Sequence, residues 1–133
     1  MSTRDRIQDF LAGDRFAVVG ASPDRGKFGN RVLRCYLRHG LEAVPVNPGH
    51  GEVEGLPCAG SLTELDAPVH GVSVITPPAV SLRVVEEAGA LGLTRVWLQP
   101  GAEDEAVLER AEELGLELIA GGPCLLVELD REG

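Results

Sequence analysis

Short apolar runs alternate along the chain with longer segments in which apolar residues recur every three or four positions. The short runs predict five buried strands, over residues 15–19, 42–46, 71–75, 95–98 and 117–120. Strands that alternate with helical segments are typical of parallel sheets joined by crossover helices. The pattern therefore predicts an α/β protein whose strands all run in the same direction.

Helical spacing predicts four helices around these strands. The first carries its apolar residues at positions 7–11, and the second carries them at 32–37 and ends at Gly40, a residue favoured just past a helix C-terminus. The third runs from residue 78 or 81 to 91, and the fourth covers about 103–114. Together the elements predict a Rossmann-like, three-layer doubly wound fold with a parallel five-stranded sheet.

Three segments follow neither pattern clearly. Residues 47–60 are rich in proline and glycine, which predicts a loop. Ser61 and Glu64 have the spacing of a capping box, which predicts one helical turn after that loop. The apolar run after Gly122 fits either a strand or a helix.

Size and composition narrow the class of protein. A chain of 133 residues, 44% of them hydrophobic, predicts one domain over residues 1–133. Twelve basic against 21 acidic side chains give a net charge of −9, which disfavours binding to nucleic acid. The three cysteines lack a repeated spacing, so we expect reduced thiols rather than disulfides. No apolar segment approaches the roughly 18 residues of a membrane span, and we expect a cytoplasmic protein without membrane association.

The strongest local motif follows the first predicted strand. The strand leads into a loop that contains Gly20, Gly26 and Gly29, and then into a helix. Glycines at these positions let backbone N–H groups and the helix N-terminus approach an anion without a Cβ in the way. The motif therefore predicts a phosphate-binding loop.

Charge around this loop differs from that of the whole chain. Residues 16–40 contain five cations and one acid. Arg25, Lys27 and the Ser22 hydroxyl are expected to add donors to the phosphate site, with Arg31 as a further candidate. Arg34 and Arg38 lie further along the helix and are expected on its solvated face.

Two familiar nucleotide motifs do not match the loop. The dinucleotide fingerprint requires Gly-x-Gly-x-x-Gly and an acid at the end of the second strand, where this chain has Asn47. The Walker loop requires four residues between its first glycine and Gly-Lys, whereas five separate Gly20 from Gly26, and Phe28 follows the lysine. Both NAD binding and ATP hydrolysis are therefore disfavoured.

Five motifs at successive strand ends resemble the CoA-binding domain family, which includes the N-terminal domain of the succinyl-CoA synthetase alpha subunit and small stand-alone bacterial CoA-binding proteins. They are Val-Gly-Ala-Ser-Pro at 19–23, Val-Asn-Pro-Gly at 46–49, Thr-Pro-Pro at 76–78, Leu-Gln-Pro-Gly at 98–101 and Gly-Gly-Pro-Cys at 121–124. The resemblance covers roughly residues 9–128. It implies that coenzyme A lies across the carboxyl edge of the sheet, with its pyrophosphate near the glycine-rich loop and its adenosine toward the loops after the second and third strands.

The loop and the resemblance together define the candidate cofactor-binding residues. His50 is included because it occupies the position of a cofactor-contacting lysine in the synthetase, although a histidine is mostly neutral near pH 7. The candidates are Gly20, Ala21, Ser22, Arg25, Lys27, Gly29, Asn30, Asn47, Pro48, His50, Ile75, Thr76, Pro77, Pro78, Gln99 and Pro100.

Candidate catalytic groups are few. His39 and His70 are expected at a helix end and before a strand, as surface or capping residues, and Cys124 is expected as an ordinary free thiol. We predict no catalytic residue and no metal centre. The expected function is non-enzymatic binding of CoA or an acyl-CoA, as a carrier, sensor or accessory subunit of a separate catalytic protein. The alternatives are a small NAD(P)-dependent or acyl-CoA-using enzyme completed by a partner, and a scaffold that has lost its ligand.

Overall fold

A computed structural model describes residues 2–132, and every structural statement below refers to them. In chain order the helices are α1 (Thr3–Leu11), α2 (Phe28–Arg38), α3 (Pro78–Ala90), α4 (Glu105–Glu113) and α5 (Leu125–Glu132). The strands are β1 (Arg15–Val19), β2 (Glu42–Val46), β3 (Glu52–Val53), β4 (Leu56–Pro57), β5 (Gly71–Val74), β6 (Arg95–Leu98) and β7 (Glu117–Ile119). A single 3₁₀ turn covers Leu62–Glu64.

Five strands form one sheet in the order β2-β1-β5-β6-β7, and every neighbouring pair is parallel. The predicted Rossmann-like α/β fold with a parallel five-stranded sheet is therefore confirmed. After β1 the chain moves outward to β2 and then crosses back to place β5 on the other side of β1. This reversal of strand order opens a crevice at the carboxyl ends of β1 and β5, where ligands of such sheets bind.

Alternating residues of the central strands supply two apolar layers. Phe16, Val18 and Trp97 face the layer formed with α1, α2 and α5. Ala17 and Val19 face the opposite layer, which contains residues of α3 and α4. Because successive side chains of a strand point to opposite faces, strands buried on both sides read as continuous apolar runs in the sequence.

A polar contact crosses the first of these layers. The hydroxyl groups of Tyr36 on α2 and Ser73 on β5 lie 2.6 Å apart, and both residues are fully buried. Phe16 stacks on the Tyr36 ring at a centroid distance of 4.7 Å. Burial raises the pKa of Tyr36 far above its usual range, so the phenol stays protonated and keeps this hydrogen bond.

The predicted loop over residues 47–60 contains a small antiparallel hairpin, formed by β3 and β4. Its turn, Glu54-Gly55, has positive φ angles of 51° and 77° at the two residues, as a two-residue type I′ turn requires. Beyond the hairpin, the Ala59 amide donates to the carbonyl oxygen of Pro45 in β2 at 3.0 Å. Since Pro45 has no N–H, its place on an edge strand leaves no outward donor unpaired.

The structure also shows the conformation of the run after Gly122 and of the turn that follows Ser61. The apolar run after Gly122 forms α5, and its first amide, that of Leu125, donates to the Gln99 side-chain oxygen at 2.9 Å. The capping box expected at Ser61 does not form, because the Ser61 hydroxyl faces the Glu64 carboxylate at 3.4 Å and makes no bond to the turn's backbone. The Glu87 carboxylate of α3 accepts from the amides of that turn instead.

We predict that Tyr36→Phe lowers the free energy of unfolding by about 1–3 kcal/mol, because the Ser73 hydroxyl is then buried without its partner. Urea denaturation of Tyr36→Phe, Ser73→Ala and the double variant measures the coupling. The double variant is expected to lose less than the sum of the two single changes, since it removes both polar groups together. Strictly additive losses would contradict this assignment.

Candidate functional site

Two grooves meet in the crevice at the carboxyl edge of the sheet, one on each side of Thr76 and Pro77. The first has a volume of about 630 Å³ and lies between the end of β1, the segments that follow β2, and α3. The second has a volume of about 530 Å³ and lies between the start of α2, the segment after β6, and Cys124. An elongated ligand that crosses the ends of β1 and β5 can therefore occupy both grooves.

Close backbone contacts shape the junction of the grooves. Gly20 ends β1 with φ +96°, and a Cβ there would lie 2.0 Å from the carbonyl oxygen of Ile75. A Cβ on Gly29 would lie 2.1 Å from the carbonyl oxygen of Gly20. Only glycine permits these contacts, so the main chains after β1, after β5 and at the start of α2 pack directly against each other.

The N-terminus of α2 lies in this junction without an acceptor of its own. Lys27 is the N-cap residue, no side chain caps the helix, and its first turn contains no acid. The first intrahelical donor is Arg31, so the amides of residues 28–30 precede the helical ladder. By contrast, α1 and α4 are capped by Ser2 and Asp104, whereas α3 also begins without a side-chain cap, after Pro77. A lysine at the positive end of a helix dipole is unfavourable by itself and becomes favourable beside an anion.

Local hydrogen bonds hold the loop between β1 and α2 in shape. The Asp24 amide donates to the Ser22 hydroxyl oxygen at 3.1 Å, and the Gly26 amide donates to the Asp24 carboxylate at 2.9 Å. The Lys27 amide donates to the Asp24 carbonyl oxygen at 3.0 Å. The Ser22 hydroxyl accepts in this arrangement and keeps its own proton for a further acceptor.

Asn30, one of the predicted cofactor contacts, is fully buried, and its side chain makes hydrogen bonds with three other residues. Its amide nitrogen donates to the Ser22 carbonyl oxygen at 2.8 Å and to the Glu54 carboxylate at 3.0 Å. Its side-chain oxygen accepts from Arg34 at 2.7 Å. Asn30 therefore ties the loop between β1 and α2 to α2 itself and to the hairpin.

The arginines of this region also differ in their roles. Arg25 pairs with the Glu54 carboxylate at 3.3 Å. Arg34 donates to the Arg25 carbonyl oxygen at 3.0 Å, so the expectation that it only lines the solvated helix face is wrong, whereas Arg38 is exposed. The hydrogen bond from Asn30, followed by the nearby guanidinium of Arg25, lowers the pKa of Glu54. Glu54 is thus ionised at neutral pH and holds Arg25 beside the loop.

The other predicted residues lie around the grooves in two ways. Some line a groove directly: Gly20, Asn47, Pro48, Thr76 and Pro77 line the first, and Ile75, Thr76, Pro77 and Pro100 line the second. Others support the walls: Ala21 is buried, Pro78 begins α3, and Gln99 is buried beneath α5. Lys27 is exposed beside the α2 N-terminus, and His50 is exposed and lines neither groove.

Two polar side chains hold the groove walls in place. The Asn47 amide nitrogen donates to the Ala21 carbonyl oxygen at 2.8 Å, and its oxygen accepts from the Gly49 amide at 2.9 Å. This fixes the loop after β2 against the loop after β1. The hydroxyls of Thr76 and Ser81 lie 2.7 Å apart, so α3 orients the Thr76 side chain between the two grooves.

The sequence interpretation missed Arg83, which lies on α3 and lines the first groove together with Val80 and Glu87. The spacing of these residues at 80, 83 and 87 was a usable signal, because residues three and four apart share one face of a helix. Glu87 is already engaged by the amides of Leu62 and Thr63 and by the Thr63 hydroxyl, at 2.6–3.3 Å. Arg83 is exposed and is the cation among the residues that line the first groove.

The fold is of the doubly wound α/β class, whose ligands bind at the switch point where these grooves lie. The chain belongs to the CoA binding domain family, whose model matches residues 14–130. This confirms the resemblance stated from the motifs.

Relatives of two kinds carry the same domain. The chain is 28% identical over 119 residues to ADP-forming acetate–CoA ligase I of Archaeoglobus fulgidus, covering 82% of this chain but only 17% of the ligase. It is 30% identical to the Bacillus subtilis protein YneT, with 79% and 78% of the two chains covered. A solved structure of a conserved hypothetical protein from Pyrococcus furiosus is similar at a TM-score of 0.81 and 41% identity, covering 86% of this chain and 97% of that chain.

Among the helices of residues 2–132, none has the length and apolar character required to cross a bilayer.

We predict that Gly29→Ala destabilises the protein by about 2–3 kcal/mol, because the new Cβ overlaps the Gly20 carbonyl oxygen and forces α2 away from β1. Thermal and urea unfolding measure the loss. Gly26→Ala is the matched control in the same loop, since its Cβ would meet nothing closer than an Asp24 carboxylate oxygen at 3.4 Å. The control is expected to stay within about 0.5 kcal/mol of the parent, and equal losses in the two variants would refute the close-contact explanation.

Proposed function

We propose that this chain binds coenzyme A or an acyl-CoA in the two joined grooves at the carboxyl edge of the sheet. The single observation that carries the proposal is the N-terminus of α2, which has a lysine in place of an acceptor and first-turn amides that point to no side-chain cap. A pyrophosphate supplies the negative charge and the acceptor oxygens that this terminus lacks. Membership in the CoA binding domain family supports the same ligand.

The two grooves suit the two ends of the ligand differently. The first contains Arg83 and the polar side chains of Asn47 and Ser61, which suit a ribose with a 3′-phosphate. The second is lined mainly by apolar groups such as Phe28, Ile75 and Ala102, which suit the pantetheine arm. We therefore place the nucleotide in the first groove, the pyrophosphate at the start of α2 and the thiol end in the second groove.

Several of the predicted residues have a defined part in this arrangement. The Ser22 hydroxyl and the Lys27 ammonium flank the pyrophosphate, while Gly20 and Gly29 permit its approach to the backbone. Thr76 and Pro77 lie between the two grooves, where the middle of the bound ligand contacts them. Asn30, Arg25 and Glu54 keep the loop in its binding shape without touching the ligand.

We further propose a non-catalytic role, as a carrier, sensor or accessory protein that presents CoA to a separate catalytic partner. The titratable groups that line the grooves are Arg83, Glu87 and Cys124. The Glu87 carboxylate is held by three hydrogen bonds to the 3₁₀ turn, and the described residues that line the second groove beside Cys124 include no histidine and no acid. The ligase relative, in which this domain is a small fraction of a longer chain, is consistent with a module that works beside other domains.

Ligand choice is tested by thermal shift with CoA, 3′-dephospho-CoA, NAD, NADP and ATP. We predict that CoA raises the unfolding temperature most, since a ligand at about 100 times its Kd stabilises the native state by about 2.7 kcal/mol. Dephospho-CoA is expected to be weaker because Arg83 loses its phosphate partner. If NAD stabilises the protein and CoA does not, the proposed function is wrong.

Charge reversal tests the position of the pyrophosphate. Lys27→Glu is expected to weaken CoA binding by at least about tenfold, because it replaces the cation at the α2 N-terminus by an anion. Arg38→Glu is the matched control, since Arg38 lies in the last turn of the same helix. Calorimetry measures both, and both side chains are exposed, so the fold is expected to persist. Equal losses at the two positions would show that only the total charge matters.

A further inference from the structure

Three side chains with metal-binding atoms come together at the end of α2 that is remote from the grooves. Cys35 and His39 are one helical turn apart, and Asp130 reaches them from α5. The thiol sulfur, an imidazole nitrogen and a carboxylate oxygen all lie within 4.8 Å of one another. Because α2 begins at the carboxyl edge of the sheet and runs back, this cluster lies at the opposite edge.

The imidazole of His39 is oriented by its own helix. Its Nδ1 lies 2.9 Å from the Cys35 carbonyl oxygen, which can only accept, so Nδ1 carries the proton. In the neutral ring this leaves Nε2 with a free lone pair, and Nε2 lies 3.5 Å from the Asp130 carboxylate. Metal-binding histidines are typically fixed in this manner by a backbone carbonyl that accepts from the other ring nitrogen.

Helix dipoles favour a cation at this cluster, whereas Arg31, Arg34 and Arg38 line the adjoining cavity together with Asp130. His39 is the C-cap residue of α2, and Asp130 lies in the last turn of α5, so the negative ends of two helix dipoles meet at the cluster. A thiolate and a carboxylate together neutralise a divalent ion.

We propose that Cys35 Sγ, His39 Nε2 and one Asp130 carboxylate oxygen bind a divalent transition-metal ion of the zinc type, with water as the fourth ligand. In a tetrahedral zinc site, ligand atoms are separated by about 3.3–3.8 Å. The Asp130 side chain is 62% exposed and can rotate to close the remaining gap. On binding, the metal–sulfur bond replaces the S–H bond, and the proton leaves to solvent.

Such an ion would join α5 to α2. The two helices pack through the layer that contains Cys35, Leu125 and Leu129; Gln99 holds the first turn of α5, and Arg4 pairs with Glu128 in its middle at 2.8 Å. A metal ion bound by Asp130 would hold the last turn of α5, as the Gln99 contact holds its first turn. The site is separate from the grooves and does not depend on the proposed CoA function.

Cobalt(II) is the probe, because tetrahedral thiolate coordination gives it intense visible bands and a sulfur-to-metal charge-transfer band. Titration of the full chain under reducing conditions is expected to saturate at one ion per chain. A stoichiometric excess of zinc is expected to displace cobalt and to raise the unfolding temperature by roughly 5 °C or more.

Variants assign the ligands. Cys35→Ser is expected to abolish the charge-transfer band, and His39→Gln and Asp130→Asn are expected to weaken cobalt binding by at least about tenfold. His39 and Asp130 are not buried, so these two variants keep the test valid even where Cys35→Ser unfolds the chain. Cys58→Ser is the matched control, since the Cys58 thiol lies near Asn47 and away from the cluster.

The proposal is overturned by octahedral cobalt spectra without a sulfur band, or by bands that persist in Cys35→Ser. Equal affinity of the parent, His39→Gln and Asp130→Asn would overturn it as well.

Discussion

The direct packing of three backbone segments, after β1, after β5 and at the start of α2, is the constraint on which the rest of the structure depends. Since neither Gly20 nor Gly29 has room for a Cβ, the backbones of these segments are in direct contact, with no side chain between them. That approach places the α2 N-terminus directly over the sheet edge. Both grooves open beside this junction, and Thr76 separates them. A larger residue at either glycine would therefore change the position of the helix and the shape of both grooves together.

A net charge of −9 would repel the proposed polyanionic ligand if all charges acted equally, but their effect depends on their distance from the site. Exposed charges more than about 10 Å away are largely screened at physiological ionic strength, so the nearby groups dominate. At the α2 N-terminus these are backbone amides and Lys27, while Glu54 neutralises Arg25 and leaves the loop only moderately positive. The acidic surface elsewhere, including the start of α4, has little effect on this site and opposes non-specific binding of other polyanions.

The sequence predicted the sheet well because strands such as β1 and β6 are buried on both faces and therefore form continuous apolar runs. It did not predict the β3–β4 hairpin, whose two-residue strands are too short to show a period. The role of Asn30 depends on Glu54, 24 residues away, and such a contact leaves no local pattern. The cluster of Cys35, His39 and Asp130 was not predicted either, because Asp130 comes from another helix and the four-residue spacing of Cys35 and His39 alone does not indicate a metal site.

Trp97, the only tryptophan in the chain, contacts the segment that lies between the second groove and α5. Its indole is buried in the layer beneath α5, and its Nε1 donates to the Pro123 carbonyl oxygen at 3.0 Å, next to Cys124 in the second groove. The environment of the indole thus changes whenever α5 or the segment before it shifts. The protein therefore contains an intrinsic fluorophore whose emission reports the docking of its C-terminal helix, without any label.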